Sequence, residues 1–161
     1  MAIRAKKTAI VRTLGEWNQL DSSVGIIIVK SSSFNDPSHT TMDMTRFVHL
    51  SRFVVGDESC MYVNELKLVG LSELDSVEIG ENSFTRQKSG ASNAYNGYFY
   101  LKNCPKLKSL KMGRFSFSDY TVIEIENVNA LEVIEMGELN EESNNFYSAS
   151  LQLSSVIVCV E

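Results

Sequence analysis

One pattern, L-x-x-φ-x-φ-G-x-x-S-F with φ apolar, recurs along this sequence, and a chain that repeats itself at a short interval folds by stacking like unit on like unit. Two copies are full: Leu74, Val77, Ile79, Gly80, Ser83 and Phe84, then Leu107, Leu110, Met112, Gly113, Ser116 and Phe117. Leu131, Ile134, Met136 and Gly137 repeat the first part. An earlier copy runs Leu50, Phe53, Val55, Gly56, Ser59 and Cys60, and a weaker one runs Val24, Ile27, Val29, Ser33 and Phe34. The leading residues fall at 24, 50, 74, 107 and 131, so the intervals are 26, 24, 33 and 24.

A second motif sits eight residues before each leading leucine: Met42-Asp43-Met44, Leu66-Lys67-Leu68, Phe99-Tyr100-Leu101 and Ile123-Glu124-Ile125. An apolar residue follows each at constant offset, namely Phe47, Leu71, Cys104 and Val128. Both motifs alternate with period two, the signature of a strand with one buried face. A unit of some 24 residues is too small to bury that face alone, so stacking must align the apolar positions into internal columns. Gly56, Gly80, Gly113 and Gly137 close the strands, and the expectation is that they supply positive φ at sharp turns.

The pattern resembles the leucine-rich-repeat superfamily, whose strand part reads L-x-x-L-x-L, and the trailing S-F is similar to its irregular BspA-like class. The likeness covers about residues 24–137. It implies a mainly β fold: a right-handed solenoid of about five units with two columns of short parallel strands. It also implies a binding or scaffolding module rather than an enzyme. The family's usual asparagine position reads Ser32, Glu58, Asn82, Phe115 and Leu139 here, so no asparagine ladder runs through it.

Residues 1–23 hold no clear unit and read as an N-terminal cap or irregular segment, with residues 24–161 forming the repeat region. Ile10, Leu14, Trp17 and Leu20 share a helical face, so a short capping helix is expected there. The long interval carries a polar, Gly- and Ser-containing insertion at residues 85–98, expected as a surface loop. Leu151-Gln152-Leu153 repeats the second motif near the C-terminus. The chain therefore reads either as ending in a last strand or as a fragment of a longer array, with self-association through open ends.

Composition narrows the function. A formal net charge of −5 lacks the basic footprint of a general nucleic-acid binder. The apolar runs 26–29 and 156–160 are too short to span a bilayer. Three scattered cysteines, Cys60, Cys104 and Cys159, fit neither a disulfide framework nor a zinc site and point to a reducing, cytoplasmic setting. No phosphate-binding, metalloprotease or nucleophile-elbow motif is present, and no cofactor is expected.

One surface feature stands out. The outward position between the two φ residues reads Ile28, Val54, Glu78, Lys111 and Glu135. The position after the leucine reads Ser51, Asp75, Lys108 and Glu132, and that after the glycine reads Asp57, Glu81, Arg114 and Glu138. A basic unit thus sits between acidic ones. The candidate partner-binding residues are Glu78, Lys108, Lys111, Arg114 and Glu135, with Tyr95 and Tyr98 at the insertion because tyrosine is enriched at contact surfaces. The expected partner is a protein. The competing readings are a structural fragment of an array with no partner of its own and an enzyme with an unrecognised site.

Overall fold

In a computed structural model the chain is described over residues 5–86, 96–137 and 142–154. The chain opens with strand β1 (Lys7–Val11) and helix α1 (Leu14–Asn18). Then strands alternate between two sheets: β2 (Val24–Val29), β3 (Thr41–Asp43), β4 (Arg52–Val55), β5 (Glu65–Val69), β6 (Ser76–Ile79), β7 (Gly97–Lys102), β8 (Ser109–Met112), β9 (Tyr120–Glu126), β10 (Val133–Met136) and β11 (Ser150–Ser154). Among the described residues the first sheet has six strands in the order β1-β2-β4-β6-β8-β10, and the second has five, β3-β5-β7-β9-β11. Every pairing is parallel.

The register follows the repeat. Phe53 lies beside Ile27, Val77 beside Phe53, Leu110 beside Val77 and Ile134 beside Leu110. In the second sheet Leu66 lies beside Met42, Phe99 beside Leu66 and Ile123 beside Phe99. These columns up to Leu110 and Ile123, with the leading residues Val24, Leu50, Leu74 and Leu107, form one apolar core, while Ile134 at the end of its column is 42% exposed. Each fully buried side chain of this kind contributes about 1.5–3 kcal/mol.

Residues 7–11 form a strand that the period-3.6 reading of the N-terminus did not anticipate. Ile10 belongs to β1 and points outward, 43% exposed, while the helix is confined to Leu14–Asn18. That helix starts with a capping box in which Thr13 accepts from the Glu16 N–H and the Glu16 carboxylate accepts from the Thr13 N–H. Trp17 is buried against Phe34 and Phe47 at ring separations of 5.7 and 5.5 Å. Arg46 lies 4.6 Å from the Phe47 ring and donates to the Trp17 carbonyl.

Gly137 has the expected positive φ, +64, but the other turns of the first sheet correct the expected role of glycine. At Gly56, Gly80 and Gly113 the glycine does not carry the positive φ. It falls on Ser32, Glu58, Asn82, Phe115 and Asn144, and again two residues later on Phe34, Cys60, Phe84, Phe117 and Phe146. The glycines are needed for closeness instead. A Cβ on Gly113 would sit 2.4 Å from the Glu81 nitrogen, and one on Gly80 would sit 2.5 Å from the Asp57 nitrogen.

A left-handed bulky residue is strained by about 1–3 kcal/mol, so something must hold it. Here the aromatic slot does. Phe84 stacks on Phe117 at 4.8 Å, and Phe117 on Phe146 at 5.4 Å.

Buried serines tie the units together. Ser59 donates to the Lys30 carbonyl at 2.7 Å, Ser83 to Gly56 at 2.8 Å and Ser116 to Gly80 at 2.6 Å. In the next unit Asn145 takes the serine's place and donates to Gly113 at 2.7 Å. A ladder of side-chain donors thus helps satisfy the carbonyls at the strand ends.

Candidate functional site

The outer face of the first sheet carries the charged rows. Glu78, Lys111 and Glu135 occupy adjacent register positions on β6, β8 and β10. Lys111 bridges to Glu135 at 3.3 Å, whereas Glu78 accepts from Arg52 at 2.8 Å. Arg52 was not singled out from the sequence. The signal for it was its place on β4, two residues before Val54, the register neighbour of Glu78, within diagonal reach of a long side chain.

In the row after the leucines, Lys108 lies 3.7 Å from Asp75, and the Glu132 N–H donates to the Lys108 carbonyl. In the row after the glycines, Arg114 bonds Glu81 at 2.9 Å. Glu138, expected next to Arg114, lies outside the described residues. The backbone place in that row is held by Ser143: the Phe115 N–H donates to the Ser143 carbonyl as Asn82 donates to Arg114.

Glu78, Lys111, Glu135, Glu81 and Arg114 border an open trough of about 760 Å³ over the C-terminal halves of β4, β6, β8 and β10. Asp57, Glu78, Glu81 and Glu135 line it with Lys111 and Arg114, so carboxylates outnumber cations. Along the same register row, toward the N-terminal end, the face turns apolar: Ile10, Ile28 and Val54 are neighbours on β1, β2 and β4. One half of this row is hydrocarbon and the other is charged.

The tyrosines do not join this face. Tyr98 belongs to β7 in the second sheet rather than to a loop, with its ring stacked at 6.2 Å on Tyr100. Tyr95 lies outside the described residues, as does most of the insertion. Its N-terminal flank is anchored inside: Thr85 is buried and its hydroxyl lies 2.8 Å from that of Ser118, while the Arg86 N–H donates to Asp119. Burial pushes the Asp119 carboxyl above the usual carboxylate range.

The second sheet's outer face has a network of its own. Lys102 bonds Glu124 and lies 3.4 Å from Glu126, and the bond to Glu124 chiefly raises its pKa. The neighbouring strand places Lys67 3.1 Å from Glu65, which likewise raises Lys67. The Tyr100 hydroxyl is pushed up by burial and by the Glu124 and Glu65 carboxylates. The sequence-proposed residues are therefore divided between two faces of the molecule.

Among the described residues, no three of His, Cys, Asp and Glu gather in a way that could hold a metal. None of their helices is long and apolar enough to cross a membrane. No protein-family model, no curated protein and no solved structure matches this chain.

Proposed function

We propose that this chain is a non-catalytic protein-binding module, a right-handed leucine-rich-repeat-like solenoid that uses the outer face of its six-stranded sheet as the contact surface. The observation that carries the reading is the register row Ile10–Ile28–Val54–Glu78–Lys111–Glu135, which presents an apolar half and a charged half on one rigid sheet. Such a surface supplies an anchoring patch beside charges that set orientation and association rate. The right hand is the expected sense for strands joined by a crossover to a parallel neighbour. The buried free thiols of Cys60 and Cys104 fit a reducing, cytoplasmic setting.

The test is capture of protein partners by the folded chain, compared with the variant Lys111→Glu, Arg114→Glu and the variant Ile28→Asp. A partner held by the parent and lost by both variants, at matched melting behaviour, supports the reading. Equal capture by all three assigns the contact surface elsewhere.

A further inference from the structure

The trough on the first sheet runs across the strands rather than along them, because neighbouring strands β4, β6, β8 and β10 each contribute to its lining. Its cations are already taken: Arg114 is bonded to Glu81 and Lys111 to Glu135, while Glu78 is held by Arg52. Asp57 differs from these carboxylates. It is exposed, its Oδ1 accepts the Glu81 N–H at 2.8 Å, and among the described residues no cation pairs with it. Gly80 and Gly113 line the trough near it with no side chain. Three residues earlier on the chain, half-buried Val54 begins the apolar stretch that continues through Ile28 to Ile10. An anion without a cation thus stands where the hydrocarbon ends and the trough begins.

We infer that the partner presents an amphipathic α-helix lying across these strands, with its apolar turns on Ile10, Ile28 and Val54 and a Lys or Arg of the next turn on Asp57. The inference rests on the contact surface proposed above. Spacing selects the helix. Neighbouring strands lie about 4.8 Å apart, so anchors along the row recur at that interval. One face of a helix returns every turn, about 5.4 Å, through residues three or four apart. One face of an extended segment returns only every second residue, about 6.7 Å. Over the two steps from Ile10 to Val54 a helix slips by about 1 Å and an extended segment by about 4 Å.

Charge selects the sign of the helix. An acidic residue following the apolar turns would meet Asp57 and Glu78 and would have to compete with Glu81 and Glu135 for Arg114 and Lys111. A basic residue finds Asp57 open and displaces nothing. Complementary charge at such a border fixes the order of apolar and basic turns along the helix and speeds its capture.

The test uses the full chain and dye-labelled synthetic peptides of about five helical turns, followed by fluorescence anisotropy at low ionic strength. The first peptide carries leucines one turn apart on one face and lysines in the turn after them. The second has glutamates in place of those lysines, and the third has a proline in the middle of the first. The parent should bind the lysine peptide roughly tenfold more tightly than the glutamate peptide, and the proline peptide more weakly still. Asp57→Lys should reverse the preference between the two charged peptides, and its gain for the glutamate peptide also shows that the variant is folded. Ile28→Asp should weaken all three. Equal binding of the proline peptide overturns the helix, and an unchanged preference in Asp57→Lys overturns the role of Asp57. No saturable binding of the lysine peptide at concentrations on the order of 1 mM overturns the inference. If captured protein partners are still lost by Ile28→Asp in that case, the contact surface stands without the helix; if they are not, the surface itself fails.

Discussion

The Asn145 amide donates to the Gly113 carbonyl at 2.7 Å, where one unit earlier the Ser116 hydroxyl donates to Gly80 at 2.6 Å. Two chemically different donors fill one structural slot. What the fold requires there is a hydrogen-bond donor pointed back at the preceding unit, not a particular side chain.

Ser116→Ala should therefore destabilise the chain by about 1–3 kcal/mol, the cost of leaving a buried carbonyl without its donor. Urea unfolding measures it. A midpoint unchanged from the parent would mean that the ladder contributes nothing.

The two kinds of glycine should respond oppositely to substitution. Gly70 has φ +69 with nothing near its would-be Cβ, and the equivalent turn residues are Asn103 and Asn127, at φ 53 and 52. Gly70→Asn should stay within about 0.5 kcal/mol of the parent, since asparagine tolerates this conformation. Gly113→Ala should cost upwards of about 1–3 kcal/mol, because its methyl meets the Glu81 backbone. Equal effects at the two sites in a thermal melt would contradict the turn geometry.

The stability of the N-terminal cap should depend on pH through His39. Its ring packs 5.0 Å from Phe34 and 6.1 Å from Trp17, and its Nε2 is buried without a partner. Desolvation lowers its pKa, against a smaller opposing effect from Asp36. The unfolded chain then takes up the proton first, at about pH 6.5. Stability is full above that value and declines as pH falls below it, until the folded form also protonates. His39→Phe should remove this component from the pH profile of melting, and an unchanged profile would rule the mechanism out.

Lys111→Glu should place three carboxylates in adjacent register positions. The loss should be below about 1 kcal/mol, because the Lys111–Glu135 pair is exposed, and it should fade in high salt. A loss that persists in molar salt would point to packing rather than charge.

Cys60 and Cys104 are buried, and burial raises both thiol pKa values. They should react with a thiol reagent only after denaturation. Prompt labelling of either in the native chain would place it outside the core.

Much of this architecture is visible in the sequence because inward positions have period two and leading leucines recur: the columns through Val77 and Leu110, or Leu66 and Phe99, follow directly. Three features escaped for physical reasons. β1 escaped because Ile10, Leu14, Trp17 and Leu20 also satisfy a helical period, although Thr13 and Glu16 already spelled the cap that starts the helix after it. The turn after β10 escaped because additional residues separate Gly137 from Asn145-Phe146, hiding an aromatic slot that spacing alone would not find. The glycines were visible but their reason was not, since inter-unit closeness is a tertiary property while φ is a local one. On the surface, the charge rows were legible from register, but Tyr98 and Lys111 could not be assigned to different sheets until the strands were placed.

The donor ladder has a direction. Each hydroxyl or amide reaches back to the unit before it, from Ser59 to Lys30, Ser83 to Gly56, Ser116 to Gly80 and Asn145 to Gly113. Peeling off the unit that bears Asn145 uncovers the Gly113 carbonyl, and peeling off the first unit strands the Ser59 hydroxyl, so the ladder itself favours neither end. Burial does: β10 and β11 are exposed whereas Val11 and Trp17 are buried, so under tension between its termini the molecule should behave as a zipper with one free tab. Extension should proceed in steps of roughly 80 Å, the contour of about 24 residues, starting from the C-terminal side.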